Sequence, residues 1–258
     1  MSRAMTDFCL DCQKDLNHDL TFSQVLSLAP LEFPVLCSDC RSSYRRFVSQ
    51  SPACDGCQRS LDPKAEELYR QVYHWDDSDY CYDCYRWRRS HTKELLKHYP
   101  IYHYNQALRE WIYRYKYQDD VRLAWIFKEE LKTIYPTYSD FQWLVLPSSP
   151  RSLKERYFHP MSLLLDTAGI PHQCCFNYIG DNQRQAQKNR QERLQLKQPF
   201  EIASDFKFVD KKYLIFDDIY TTGATILASK SLLKECLDLK GGGEIISLSL
   251  ARDDLDEK

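Results

Sequence analysis

The chain has 258 residues, enough for two domains, and a formal net charge of −2, which excludes a wholly basic nucleic-acid-binding protein. The opening MSRAMTDFCLDC holds no apolar signal-peptide core, and no uninterrupted apolar stretch of about 18 residues or more occurs to span a bilayer. A cytoplasmic chain without membrane insertion is the expectation.

Eleven cysteines are unevenly spread, and eight of them form C-x-x-C pairs in the first 84 residues: Cys9/Cys12, Cys37/Cys40, Cys54/Cys57 and Cys81/Cys84. Two thiolates three positions apart grip one tetrahedral ion from a tight turn, and in a reducing compartment Zn²⁺ explains four such pairs better than disulfides or one redox pair. The Cys12–Cys37 and Cys57–Cys81 intervals are nearly equal, which suggests two sequential four-cysteine sites, although spacing alone leaves a cross-braced pairing open. Either arrangement uses all eight thiolates and leaves no open position, so the zinc is expected to be structural. Folding of so short a region should depend on it. Residues 1–94 are therefore read as a small cysteine-rich zinc-binding domain, and 95–258 as a second domain.

Basic residues in the first domain (Arg41, Arg45, Arg46, Arg86, Arg88, Arg89, Lys93) are interleaved with Tyr44, Phe47, Tyr85 and Trp87. Such interleaving suits single-stranded DNA, whose phosphates meet charge while bases stack on rings; solvated helix faces account for it equally well. His91, His98 and His103 are spare ligands only if the cysteines leave a site unfilled, so surface or packing roles are expected of them.

The segment 95–107 reads as a strand or connector. After it, Leu108, Ile112 and Tyr115, then Leu123, Ile126, Phe127 and Leu131, recur at helical spacing, giving two helices broken near 118–120. Lys116 lies just before the break, and the pattern alone makes it a surface lysine. WLVLP at 143–147 reads as a buried strand running into the polar turn SSPRS. A helix is expected from near Ser152 to Gly169, with Pro160 marking a break. A strand at 174–179 follows, then a polar stretch at 180–198 of the kind that forms a functional lid or stays unstructured. Cys174, Cys175 and Cys236 are expected to be packing residues.

The stretch YLIFDDIYTTGATI carries the most chemistry. Leu214, Ile215 and Phe216 read as a buried parallel strand that stops at Asp217 and Asp218, before a threonine- and glycine-bearing turn into a helix at 223–239. Ligands of open parallel sheets bind at the carboxyl ends of strands, and a helix N-terminus offers free N–H groups to phosphate. The two acids can accept hydrogen bonds from ribose hydroxyls. Thr221, Thr222, Gly223, Ala224 and Thr225 can form a nest for a terminal phosphate, with Tyr220 placed to touch the ligand. An ordinary capped strand-to-helix turn is the plainer alternative, but it leaves the joint spacing of acids and T-G-x-T unexplained. EIISLSLAR after the turn KGGG reads as a last strand. Strands alternating with helices make the second domain α/β, a mostly parallel sheet flanked by helices.

The acidic pair followed by T-G-x-T resembles the phosphoribosyl pyrophosphate (PRPP) motif of type I phosphoribosyltransferases. Together with the cysteine-rich start, RYKYQDD, VLPSSPRSLKERYFHP, QAQKNRQERL and SLSLAR, in this order over nearly the whole length, it resembles the ComF (competence protein F) family, ComFC-type members most closely. The resemblance implies a type I phosphoribosyltransferase-like fold and a PRPP-like ligand. Asp217 and Asp218 would hold the ribose and 221–225 the 5′-phosphate. Ser148, Ser149 and Arg151 would belong to the pyrophosphate loop, Lys116 matches a recurrent lysine, and Arg193 belongs to a mobile covering region. Mg²⁺ would come with PRPP, held by ligand oxygens and water. Many members read R-G-F-N-Q where this chain has Arg156, Tyr157, Phe158, His159 and Pro160, and Asp119 replaces a common glycine.

The functional expectation is an accessory protein of natural transformation that helps to bring single-stranded DNA into the cytosol, in partnership with a ComFA-type DNA translocase. Two further readings stay open. One is an active phosphoribosyltransferase with an unidentified acceptor, because Thr221 stands where hypoxanthine-guanine enzymes place an acid. The other is a zinc-dependent interaction module on a non-catalytic scaffold.

Overall fold

A computed structural model of the protein describes residues 7–16, 22, 26, 33–68, 70–90, 97–179, 200–208, 212–238 and 242–253. The cysteine-rich part contains α1 (Ser38–Ser43), a hairpin of β1 (Tyr73–Trp75) and β2 (Ser78–Tyr80), and α2 (Tyr82–Ser90). The larger part runs β3 (His98–His103), α3 (Gln106–Tyr117), a 3₁₀ stretch Val121–Phe127, α4 (Lys128–Ile134), β4 (Gln142–Val145), α5 (Pro150–Arg156) and α6 (Pro160–Ala168). It continues through β5 (His172–Gln173), β6 (Phe176–Tyr178), β7 (Phe200–Ile202), β8 (Lys212–Tyr220), α7 (Ala224–Asp238) and β9 (Glu244–Arg252).

Among the described residues, five strands form a wholly parallel sheet in the order β3-β9-β8-β4-β5. Its central strands are buried on both sides, which explains the continuous apolar runs of β4 and β8, while β9 buries Ser247 and Ser249 among its apolar residues. Side chains alternate between two cores, as a strand's period of two requires. Trp143, Val145, Leu214, Phe216, Ile246 and Leu248 join α3, α4 and α6 on one face. Leu144, Leu146, Tyr213, Ile215 and Ile245 join α7 and the β6–β7 pair on the other. Trp111 of α3 is fully buried in the first core, with its indole N–H on the Leu123 carbonyl at 3.1 Å. Truncating a ring of this kind to alanine costs about 3–5 kcal/mol.

The cysteine modules pack on these same faces. Cys9, Leu10, Leu36 and Tyr44 belong to the first core, while Cys54, Cys57, Cys81, Cys84 and Trp87 belong to the second.

Two local expectations are corrected, one is refined, and one strand is new. The motif strand does not stop at the acids: β8 continues to Tyr220, because β9 pairs with it at Asp217↔Ser249, Ile219↔Ala251 and Tyr220↔Arg252. The helix expected near Ser152 begins at Pro150 and breaks before Pro160, as that proline implied, giving two helices each opened by proline at its first position. Pro150 follows Ser149, whose hydroxyl caps the Ser152 amide at 3.1 Å, and Pro160 follows His159, whose ring caps the Ser162 amide at 3.1 Å. The strand expected at 174–179 shortens to β6, which pairs antiparallel with β7 outside the main sheet. β7 itself has no counterpart in the sequence reading. No helix among the described residues is long and apolar enough to cross a membrane.

Candidate functional site

Both cysteine modules are built alike. A C-x-x-C-Gln turn opens each one: the Cys9 and Cys54 amides donate to the carbonyls of Lys14 and Arg59 at 2.8 Å, and the Gln13 and Gln58 amides return to the carbonyls of Cys9 and Cys54 at 2.9 Å. The glutamines take φ of 62° and 63°, a left-handed turn that folds each pair of thiols inward. The second pair of each module lies at a helix start, around α1 and α2. Two four-sulfur clusters result among the described residues, Cys9/Cys12/Cys37/Cys40 and Cys54/Cys57/Cys81/Cys84. This is the sequential pairing.

Sγ separations of 3.7 Å (Cys12 to Cys37) and 3.6 Å (Cys57 to Cys81) fit a tetrahedral ion bonded to sulfur at about 2.3 Å, whose edges measure about 3.8 Å. Two buried arginines, Arg59 and Arg252, stand by the second cluster. Arg252 Nη1 donates to the Cys57 carbonyl at 3.0 Å, a position suited to the double negative charge of a zinc tetrathiolate. Both clusters can bind zinc, and four thiolates apiece leave the ion a structural role.

At the carboxyl ends of β8 and β4 lies a cleft of about 330 Å³. It is lined by Lys116, Ser148, Asp217, Asp218 and all of 221–225, with Ile112, Tyr117, His159 and Phe200 as neighbouring walls. A larger cavity of about 440 Å³ lies between the first cysteine module and α4, away from the acids.

Lys116 pairs with Asp218 through Nζ and Oδ2, both side chains being 18% exposed. The pairing overrides the surface role its helical pattern suggested. Asp217 Oδ1 accepts the Asp218 amide at 2.9 Å. Burial and the neighbouring Asp218 charge push Asp217 well above the usual carboxylate range. Burial opposes ionisation of Asp218 too, but the Lys116 ammonium and hydrogen bonds outweigh it and hold that carboxyl below its ordinary value. The two neighbouring carboxyls are thus pushed apart in acidity, Asp218 becoming the stronger acid and Asp217 the weaker.

Gly223 has φ of +76°, and the loop at 221–223 delivers its backbone into the start of the 15-residue α7. The first turn of α7 follows directly on a strand end that carries two acids, and a helix start is where N–H groups can be offered to an anion.

The remaining expected site residues divide. Ser148 reaches the cleft, whereas Ser149 is engaged in capping α5 and Arg151 pairs with Glu155 at 2.8 Å on the exposed side of that helix. Tyr220 is corrected in part. It is among the residues that line the cleft, but it is 2% exposed and its ring is stacked on His98 at 3.9 Å between centroids. Arg193, together with His91, Lys93 and the polar stretch at 180–198, lies outside the described residues.

His98 is a packing residue, as expected. Its Nε2–H donates to the Ser249 hydroxyl at 3.1 Å, that hydroxyl donates onward to the Ala251 carbonyl, and Ser247 meets Nδ1 at 3.0 Å. The alternating serines of SLSLAR were the available signal for it. His103 is likewise engaged in packing, its ring 4.6 Å from that of Phe47. His159, which the sequence reading did not select, lines the cleft. Its Nε2–H donates to the Leu146 carbonyl at 2.9 Å while Nδ1 caps α6, so one ring serves as both donor and acceptor. Several arginines of the basic-aromatic clusters are engaged within the chain: Arg86 lies over Trp87 at 4.6 Å, and Arg88 binds Asp76 at 2.8 Å.

No protein-family model matches the chain. It is 33% identical over 249 residues to competence protein ComFC of Streptococcus pneumoniae (strain ATCC BAA-255 / R6), an alignment covering 95% of this chain and 99% of that protein. The chain belongs to the ComFC family. A second ComFC, from Bacillus subtilis (strain 168), is 26% identical over 233 residues, covering 88% of this chain and 89% of its own length. Both alignments run nearly end to end.

Proposed function

We propose that this ComFC-family chain serves natural transformation, as an accessory protein for the entry of single-stranded DNA into the cytosol, through a cleft that holds PRPP or a related phosphorylated sugar. The observation that carries the reading is the convergence of Lys116, Asp217, Asp218 and the loop at 221–225 on one cleft at the strand ends. A ribose would set its hydroxyls against the two carboxylates and its 5′-phosphate against the free amides leading into α7. Lys116 offers a cation that can exchange its carboxylate partner for a ligand phosphate. Ser148 and its turn would face the pyrophosphate.

Mg²⁺ would enter on the pyrophosphate oxygens, since the residues here offer carboxylates at one edge and no closed cage. Its contribution would be to neutralise that charge. Zinc in the two clusters would hold residues 1–94 as a domain beside 95–258, and a ComFA-type translocase is the partner this role calls for. Single-stranded DNA is the polymer to be handled.

Calorimetric titration with PRPP and Mg²⁺ tests the reading. Binding is expected for the wild type and should weaken about a hundredfold in the Asp217→Asn, Asp218→Asn double variant, which loses two charge-assisted acceptors. A wild-type protein that gives no heat with PRPP sinks the proposal. Assay of released pyrophosphate across candidate acceptors separates a binding protein from a working transferase.

A further inference from the structure

The loop at 221–223 faces the cleft on one side, and on its other side it rests on the second cysteine module. Trp87 stands one turn after the ligand Cys84 on α2. It is buried, and its indole N–H donates to the Thr222 carbonyl at 2.8 Å. A second line of contact starts at the ligand turn itself. The Gly56 carbonyl accepts the His98 amide at 2.9 Å and the Cys57 carbonyl accepts Arg252 Nη1 at 3.0 Å. His98 and Arg252 then enclose the Tyr220 ring, the first by stacking at 3.9 Å and the second with its guanidinium carbon 5.0 Å from the ring centroid. The Tyr220 hydroxyl lies directly beneath Gly223, so close that a β-carbon there would meet it at 2.2 Å.

An anion-binding loop works only if its amides are fixed before the ligand arrives, and bends outside the sheet ladder have few internal bonds to fix them. We infer that the second tetracysteine site governs the phosphate loop: its metal sets α2 and the Cys54–Cys57 turn, and through Trp87 and the Arg252–Tyr220–His98 stack these keep 221–225 in anion-binding geometry. Trp87 is thus a positioning residue for the phosphorylated ligand. This rests on the reading of the loop as a phosphate site.

The first tetracysteine site has a different mechanical partner. It grips α3, with Arg114 Nη2 on the Leu10 carbonyl at 2.6 Å and Nη1 on Asp11 Oδ1 at 3.1 Å. Its Cys12 is exposed, whereas all four cysteines of the second site are buried, so a chelator should take the first site's ion earlier.

The decisive comparison is Trp87→Phe in the full-length protein, which keeps an aromatic ring and deletes the donor. Zinc content should stay at the wild-type level, while amide hydrogen exchange in 220–225 accelerates about tenfold and PRPP binding with Mg²⁺ weakens about tenfold, the size of one buried hydrogen bond. Unchanged exchange in that loop overturns the coupling. If the variant folds poorly, stepwise chelation of the wild type decides, with native mass spectrometry counting ions. With the emptied site identified by thiol alkylation, loss of the first site's ion should leave loop exchange unaltered and loss of the second site's ion should open it; a loop that opens with the first site's ion alone, or stays closed without the second's, overturns the inference. Because exchange is read without ligand, a protein that fails to bind PRPP but whose loop answers to Trp87 and zinc removes the phosphoribose reading alone. One that binds PRPP with an indifferent loop removes only the coupling.

Discussion

Tyr157 holds φ at +60° while its side chain is 92% exposed, so its β-carbon is strained and its ring contributes little packing in return. It ends α5 in the left-handed region that glycine enters without strain, and Asp119, at φ +56°, takes the same kind of conformation. Tyr157→Gly is accordingly expected to stabilise the protein by about 1 kcal/mol in urea unfolding, and Tyr157→Ala to leave it nearly unchanged. The acidic pair makes a second prediction with a definite sign. Asp218, held low by Lys116 against the effect of burial, contributes stability that is present above its ordinary value and lost as pH falls through the lowered one. Asp217, raised by burial and by Asp218, contributes at acid pH and loses that contribution as pH rises through its raised value. Lys116→Met removes the cation serving both carboxyls, so it should destabilise by about 2 kcal/mol at neutral pH. The deficit should shrink as the solution is acidified and both groups protonate. Parallel urea melts of variant and wild type across pH read the difference, and a deficit that grows on acidification contradicts the assignment. Lys116 itself shows the limit of local pattern. Three residues of context made it a surface lysine, and its partner is 102 positions away.

At the scale of elements, the unit that matters is β8, its loop and α7. Its order was readable from an apolar run, two acids and a glycine-bearing turn, because each of these obeys local chemistry. Its length was not, since the acids look like a strand end until β9 is laid beside them and the ladder runs on to Tyr220↔Arg252. Gly223 is the element's hinge point. With φ of +76° and the Tyr220 hydroxyl where a β-carbon would go, Gly223→Ala should reduce PRPP binding at least tenfold. Gly169→Ala is the matched control. Its φ is +72° but nothing lies within 4 Å, so it should cost about 1 kcal/mol in unfolding and leave binding unaltered. The helix pair α5 and α6 is the reverse case, for Pro160 announced its break by covalent geometry alone. What filled the break, a histidine acting as donor and cap, needed the Leu146 carbonyl to be in view.

For the whole molecule, the two metal modules pack into opposite faces of one sheet, so zinc removal should be felt far from the sulfurs. Elemental analysis is expected to find about two zinc ions per chain, and complete chelation to abolish a single cooperative unfolding transition. One ion per chain, or a transition indifferent to chelator, contradicts the two-cluster arrangement. Spacing by itself picked out the eight cysteines that cluster, the apolar runs determined a parallel sheet, and the acids with T-G-x-T marked residues that line the cleft, because each signal is carried by residues close together along the chain. Only the tertiary structure decided that thiols pair sequentially, that Lys116 meets Asp218, that Tyr220 stacks on His98, and that Trp87 reaches the loop from 135 residues away. Those outcomes depend on contacts between distant segments, which a local pattern does not contain and the packing of both faces of the sheet supplies.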